Sequence, residues 1–148
     1  CRGEGVAKRE EEIRVTVPPG ISDGEMIRMP GRGEAAPGIA AGDLYVKIHV
    51  KNDRSFTRDG NNLTTVLPIK LTDALLGGEY RIRTLEGEDA LQVPAGIRHG
   101  EIVRVEGKGV PYGRGQRGDL EVRIDIEFPK KLSKEAQELI EKLRSEGL

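Results

Sequence analysis

Few side chains in this sequence belong to the types that carry chemistry. There are two histidines, His49 and His99, and one cysteine, Cys1. An imidazole serving as a general base needs a nucleophile and an orienting carboxylate. A metal pair on a helix needs ligands three or four positions apart. Neither histidine shows such a pattern. His49 falls on the strand face opposite Val46 and Ile48, which puts it in solvent, and His99 falls in a turn. The run Gly113-Arg-Gly115-Gln-Arg-Gly118 has the G-x-G-x-x-G spacing. That spacing cradles a pyrophosphate when a strand leads in and a helix leads out. Here a Gly/Pro-rich loop precedes it and the strand LEVRIDI follows, so the context is wrong. No G-x-x-x-x-G-K-[ST] loop occurs, and Glu10, Glu11 and Glu12 read as a solvated charge run. No active site can be assembled, so the expectation is a protein that is not an enzyme. Cys1-Arg-Gly3-Glu-Gly5 is more specific, because it is the second half of C-x-x-C-x-G-x-G, a zinc half-site. A zinc ion needs about four ligands, and this stretch offers one.

The elements that would position any site have to be built from aliphatic residues. Of the 148 residues, 36% are hydrophobic, 33% charged and only 3% aromatic. No apolar run approaches the ~20 residues that span a bilayer, and no signal peptide opens the chain. The 24 basic and 25 acidic residues nearly cancel, which argues against nucleic acid or an anionic membrane as a partner. One cysteine points to a reducing compartment. Twenty glycines and eight prolines mean many turns, the punctuation of short strands.

Two stretches, GDLYVKIHV (42–50) and GDLEVRIDI (118–126), have the two-residue period of strands with one buried face. They belong to a longer repeat. Residues 17–50 align without a gap on residues 93–126, at an offset of 76 positions. Fourteen of the 34 positions are identical, among them Gly24/Gly100, Glu25/Glu101, Gly31/Gly107, Gly33/Gly109 and Asp43/Asp119. In each copy a strand ends at Val-Pro, since proline cannot donate to a ladder. A glycine turn follows, then a second strand (Met26 to Met29, Ile102 to Val105) and a G-x-G. Those glycines take positive φ or let another backbone come close. The GDL strand closes the copy.

The second copy has more in front of it: NNLTTVLPIKL as a strand, TDALLGGE as one helical turn, and YRIRTLEGE as a strand. Thr72 or Asp73 would cap the turn and Gly77 would end it. The first copy has only CRGEGVAKREEEIRVT before its Val-Pro, which reads as a unit lacking its leading strands. The tail starts at a proline, has Ser133 as N-cap, and is helical to about Glu146. Leu132, Ala136, Leu139, Ile140 and Leu143 form one apolar stripe. A helix of ~14 residues is marginal alone, so the stripe docks either on the second unit or on the same helix of another chain.

Together these features resemble the C-terminal region of zinc-class DnaJ-type co-chaperones. The carriers are CRGEG, VPPGISDGEMIRMPGRGE, GDLYVKIHV, SFTRDGNNL, the P-I-x-L-T-D-A-L-L-G-G-E segment, VPAGIRHGEIVRVEGKGVP, GDLEVRIDI and PKKLSKEAQELIEKL. The resemblance covers essentially the whole chain. It implies an all-β fold of two tandem, homologous β-sandwich-like units, the first incomplete, followed by a short C-terminal α-helix. The expected division is 1–5 as a zinc-region remnant, 6–53 as a partial first client-binding domain, 54–129 as the second, and 130–148 as a dimerisation helix.

The resemblance also implies the function. Clients would be extended hydrophobic segments of non-native polypeptides, held on a sheet edge beside an apolar pocket and presented to DnaK, in the cytoplasm and under stress. By motif position that pocket includes Ile13 and Val46, with Val15, Leu44 and Ile48 as floor or core. Ile13 and Val46 also fit an ordinary core. Asp89 stands at the position matching Ile13 in copy two, so the second unit is expected to act as spacer and scaffold. The dimerisation residues would be Leu132, Ala136, Leu139, Ile140 and Leu143, giving a homodimer. Cys1 would be a zinc ligand in the full-length protein only, and this chain itself would need no cofactor. The His-Pro-Asp motif of the J domain has no counterpart here. The alternative is a tandem β-sandwich module for a folded partner or a carbohydrate. Scattered aromatics disfavour the carbohydrate.

Overall fold

Short, alternating aliphatic segments separated by glycine turns produce ten strands and two helices in the computed structural model, which describes residues 10–148. The strands are β1 (Met26–Met29), β2 (Leu44–Lys47), β3 (Thr57–Asp59), β4 (Asn62–Lys70), β5 (Gly78–Thr84), β6 (Gly87–Val93), β7 (Ile102–Val105), β8 (Pro111–Tyr112), β9 (Gln116–Arg117) and β10 (Leu120–Glu127). The helices are α1 (Leu71–Leu76) and α2 (Lys134–Ser145). The fold is all-β with a small C-terminal helix. β3-β4-β10-β7 form a four-stranded sheet in that order, and β1-β2, β5-β6 and β8-β9 form two-stranded sheets.

Two compact units divide the chain. The first comprises the described part of Cys1–Leu63 together with Glu106–Leu120. Here β1 and β2 pair antiparallel, Ile27 opposite Val46 and Met29 opposite Leu44. Its buried apolar residues are Leu63, Val110 and Leu120. The second unit comprises Thr64–Val105 and Glu121–Leu148. Its core holds Leu67, Ile69, Ala74, Ile82, Leu91, Val93, Ile97, Val122 and Ile124.

The 76-residue repeat is visible bond by bond. Gly24 N–H donates to Ile48 O at 2.8 Å, and Gly100 N–H to Ile124 O at 2.8 Å. Gly33 N–H donates to Gly42 O at 2.8 Å, and Gly109 N–H to Gly118 O at 2.8 Å. The identical acidic residues hold the turns. Glu25 accepts the Ser22 N–H and Glu101 the Arg98 N–H. Asp43 accepts the Gly31 N–H and Asp119 the Gly107 N–H, both at 3.0 Å. The G-x-G glycines divide the two roles expected of them. Gly31 and Gly107 have φ of 66° and 68°. A Cβ at Gly33 would lie 2.7 Å from Asp43 O, and one at Gly109 2.5 Å from Gly118 C.

Several expectations need correction. Residues 10–18 carry no strand, although Ile13 and Val15 alternate with polar neighbours. Alternation supplies a face but not a partner strand, and a lone strand has no ladder to join. YRIRTLEGE is a hairpin turn, not one strand: Thr84 pairs with Gly87 across two loop residues. Thr84 Oγ1 accepts the Glu86 N–H at 3.2 Å and donates to Gly87 O at 3.0 Å. Neither Thr72 nor Asp73 caps α1, whose N-cap position is Lys70 with no side-chain cap. Asp73 instead accepts the Tyr80 hydroxyl, which in turn accepts the Lys70 N–H at 3.1 Å. Gly77 does end the helix, at φ 80°. Ser133 caps α2 as expected, accepting the Ala136 N–H at 3.1 Å.

Candidate functional site

The apolar face of the first copy is the candidate site. Alternation along β2 turns Leu44 and Val46 to one side and Tyr45 and Lys47 to the other. Register adds Ile27 and Met29 from β1 to the Leu44/Val46 side, while Met26 and Arg28 face the same way as Lys47 and Tyr45. Ile48 continues the face just beyond β2, with its N–H on Glu25 O at 2.8 Å. Sequence reasoning missed Ile27 and Met29. The run EMIRMP has apolar residues on both sides, so its period alone does not choose a face.

All five proposed contact residues, Ile13, Val15, Leu44, Val46 and Ile48, are half-buried. Their equivalents on β10 are not: Leu120, Val122 and Ile124 are 0%, 0% and 1% exposed. The reason lies in the sheet. β10 has a strand on each side, whereas β2 has only β1 among the described residues. The structure brings Leu44, Val46 and Ile48 onto one strand face. Ile13 and Val15 sit in the strandless segment, which is tied to the loop after β1 by an ion pair of Arg32 with Glu11 at 2.6 Å. Glu10, Glu11 and Glu12 are all exposed, so the charge run is a solvated one that carries a surface ion pair.

Polar groups frame this face without forming a catalytic cluster. Arg28 donates through Nε and Nη2 to Asp43 Oδ2, both at 2.7 Å. His49 is exposed, with Nδ1 3.6 Å from Asp23. Among the described residues no group of three or more His, Cys, Asp or Glu could hold a metal ion. Cys1 lies outside the described residues. The G-x-G-x-x-G run is a structural loop: β8 and β9 close it, and a Cβ at Gly118 would lie 2.0 Å from Asn61 O. No described helix is long and apolar enough to cross a membrane. No residue of α2 is buried, and Leu139, Ile140 and Leu143 of its stripe are 60%, 45% and 44% exposed.

A tandem all-β repeat with one closed and one half-open copy, and a terminal helix with an uncovered stripe, defines a class of modular β proteins that present apolar surface. The family model described as the DnaJ C terminal domain matches residues 4–129, and the chain belongs to that family. It is 43% identical over 145 residues to "Chaperone protein DnaJ 2" of Nocardia farcinica, covering 97% of this chain and 38% of that protein. It is 44% identical over 138 residues to "Chaperone protein DnaJ 2" of Mycolicibacterium paratuberculosis, covering 93% and 35%. The same figures hold for "Chaperone protein DnaJ 1" of Mycobacterium tuberculosis. The chain thus spans little more than a third of the length of these relatives.

Proposed function

We propose that this chain is the client-binding part of a DnaJ-type co-chaperone and holds extended hydrophobic segments of non-native polypeptides. The observation that carries the reading is the half-burial of Leu44, Val46 and Ile48 where the equivalent β10 residues are sealed. A face of that kind beside a strand edge that is unpaired among the described residues offers an extended peptide backbone hydrogen bonds and a place for an apolar side chain. No bond-making step is involved, so the segment acts as a binding protein and not as an enzyme. In this reading residues 6–53 and 54–129 are tandem β-domains, of which the second is chiefly scaffold. Residues 130–148 pair two chains through Leu132, Ala136, Leu139, Ile140 and Leu143. Two weak sites then gain by effective concentration. The full-length protein would work in the cytoplasm, deliver clients to a DnaK-type chaperone, and carry zinc with Cys1 among the ligands.

The test is fluorescence anisotropy of a labelled, extended, Leu-rich peptide titrated with the chain and with Val46→Glu. Saturable binding that weakens at least about tenfold in the variant is expected, since a carboxylate in an apolar contact is costly. Equal binding by both proteins moves the site away from β2.

A further inference from the structure

Arg58 on β3, the arginine of the SFTRDGNNL segment, makes contacts that reach well beyond that segment. Its Nε donates to Gly60 O at 2.8 Å, its Nη1 to Ile21 O at 2.9 Å, and its Nη2 to Gly20 O at 2.7 Å. The Ser22 hydroxyl lies 3.4 Å from Nη2. One guanidinium therefore gathers carbonyls from its own turn and from the glycine turn of the first copy, some 37 residues earlier. A second contact serves the same junction. A Cβ at Gly20 would lie 1.9 Å from Pro111 O, so that turn packs directly on the backbone of β8. At Gly96, the repeat equivalent of Gly20, an added Cβ would meet nothing within 4 Å. The first copy's turn thus packs on β8, whereas the second copy's turn docks elsewhere, its Gly96 N–H donating to Ala74 O of α1 at 2.8 Å. Gly20, Ile21, Ser22, Arg58, Gly60 and Pro111 all lie within the first compact unit.

We propose that Arg58 is a clasp. It fixes the Gly20–Ser22 turn to β3, so that the exposed segment 51–55, which has neither strand nor helix, does not act as a free hinge. The planar fork suits the task because it satisfies several carbonyls from one fixed geometry, which a lysine ammonium cannot do. Arg58 is exposed and touches no proposed client residue, so the inference does not depend on client binding.

The test is limited trypsin digestion under native conditions, with cleavage after Lys51 and Arg54 timed by mass spectrometry. Cleavage of a native segment follows its local opening. Arg58→Ala is expected to be cut about tenfold faster at these two sites, with unchanged cleavage after Arg83 and Arg104 and an unchanged circular dichroism spectrum. Arg58→Lys falls between the two, and Ser22→Ala behaves as the wild type. Equal rates for wild type and Arg58→Ala after Lys51 and Arg54, or a rise shared equally by the sites after Arg83 and Arg104, overturns the clasp.

Discussion

His99 Nδ1 stands 3.5 Å from Asp125 Oδ1, and 76 positions earlier the same contact exists with the partners exchanged: Asp23 Oδ1 lies 3.6 Å from His49 Nδ1. The turn residue also caps the following backbone in both copies. Asp23 accepts the Val50 N–H at 2.8 Å, and His99 Nδ1 accepts the Ile126 N–H at 3.2 Å. Position 23/99 therefore needs an acceptor, and either a carboxylate or a neutral imidazole supplies it. The imidazole's two contacts are exclusive, because Nδ1 accepts from Ile126 only without a proton and donates to Asp125 only with one.

The exchange makes a prediction. The double variant Asp23→His/His49→Asp copies the second unit's arrangement and should unfold within ~0.5 kcal/mol of the wild type. His49→Asp alone sets its new carboxylate against that of Asp23 and should lose about 0.5–1 kcal/mol, modest because both groups are exposed. Urea unfolding at low ionic strength measures both. A double variant as unstable as the single one would dissolve the equivalence.

Leu44 and Leu120 are the same residue at the same repeat position with different surroundings. Leu120→Ala empties a fully buried site and should cost about 2–5 kcal/mol, while Leu44→Ala at a half-covered site should cost about 1 kcal/mol. Chemical denaturation followed by circular dichroism reads both, and equal losses would mean that the β2 face is closed after all.

Tyr80 links β5 to α1 through Asp73 and Lys70. Its hydroxyl is pushed above the ordinary 10.0, first by the hydrogen bond to Asp73 and then by burial, against the opposing Lys70 N–H. The folded state therefore holds the phenol proton more tightly than the unfolded state does. That contribution is full below pH 10.0 and is lost as the pH rises from there through the raised value. Tyr80→Phe should remove about 1.5 kcal/mol at neutral pH and flatten this part of the alkaline loss. A variant with the wild-type alkaline slope would place the titration elsewhere.

The α2 stripe predicts an oligomer. Sedimentation equilibrium should find paired chains for the wild type and single chains for Leu139→Glu. Ser133→Ala removes the N-cap and should lower helix stability by about 1 kcal/mol, seen as reduced ellipticity at 222 nm. A monomeric wild type would assign the stripe to another partner.

The repeat was legible in the letters because turns are local. Backbone N–H groups at fixed places need Glu25, Glu101, Asp43 and Asp119, and tight backbone approach needs Gly33 and Gly109. Those identities survive in the sequence at the same 76-residue offset as the hydrogen bonds. The N-cap at Ser133 and the helix stop at Gly77 are local in the same sense. Tertiary structure decided the rest. Leu44 and Leu120 read alike, yet one is half-covered and the other sealed, because burial depends on which strands flank β2 and β10. Asp73 was free to cap α1 but was taken by Tyr80 from the next strand. Ile27 and Met29 acquired their face only from pairing with Val46 and Leu44. The partners of Arg58 gave no sign in sequence, since they are main-chain carbonyls that any residue can present, and only folding brings them together.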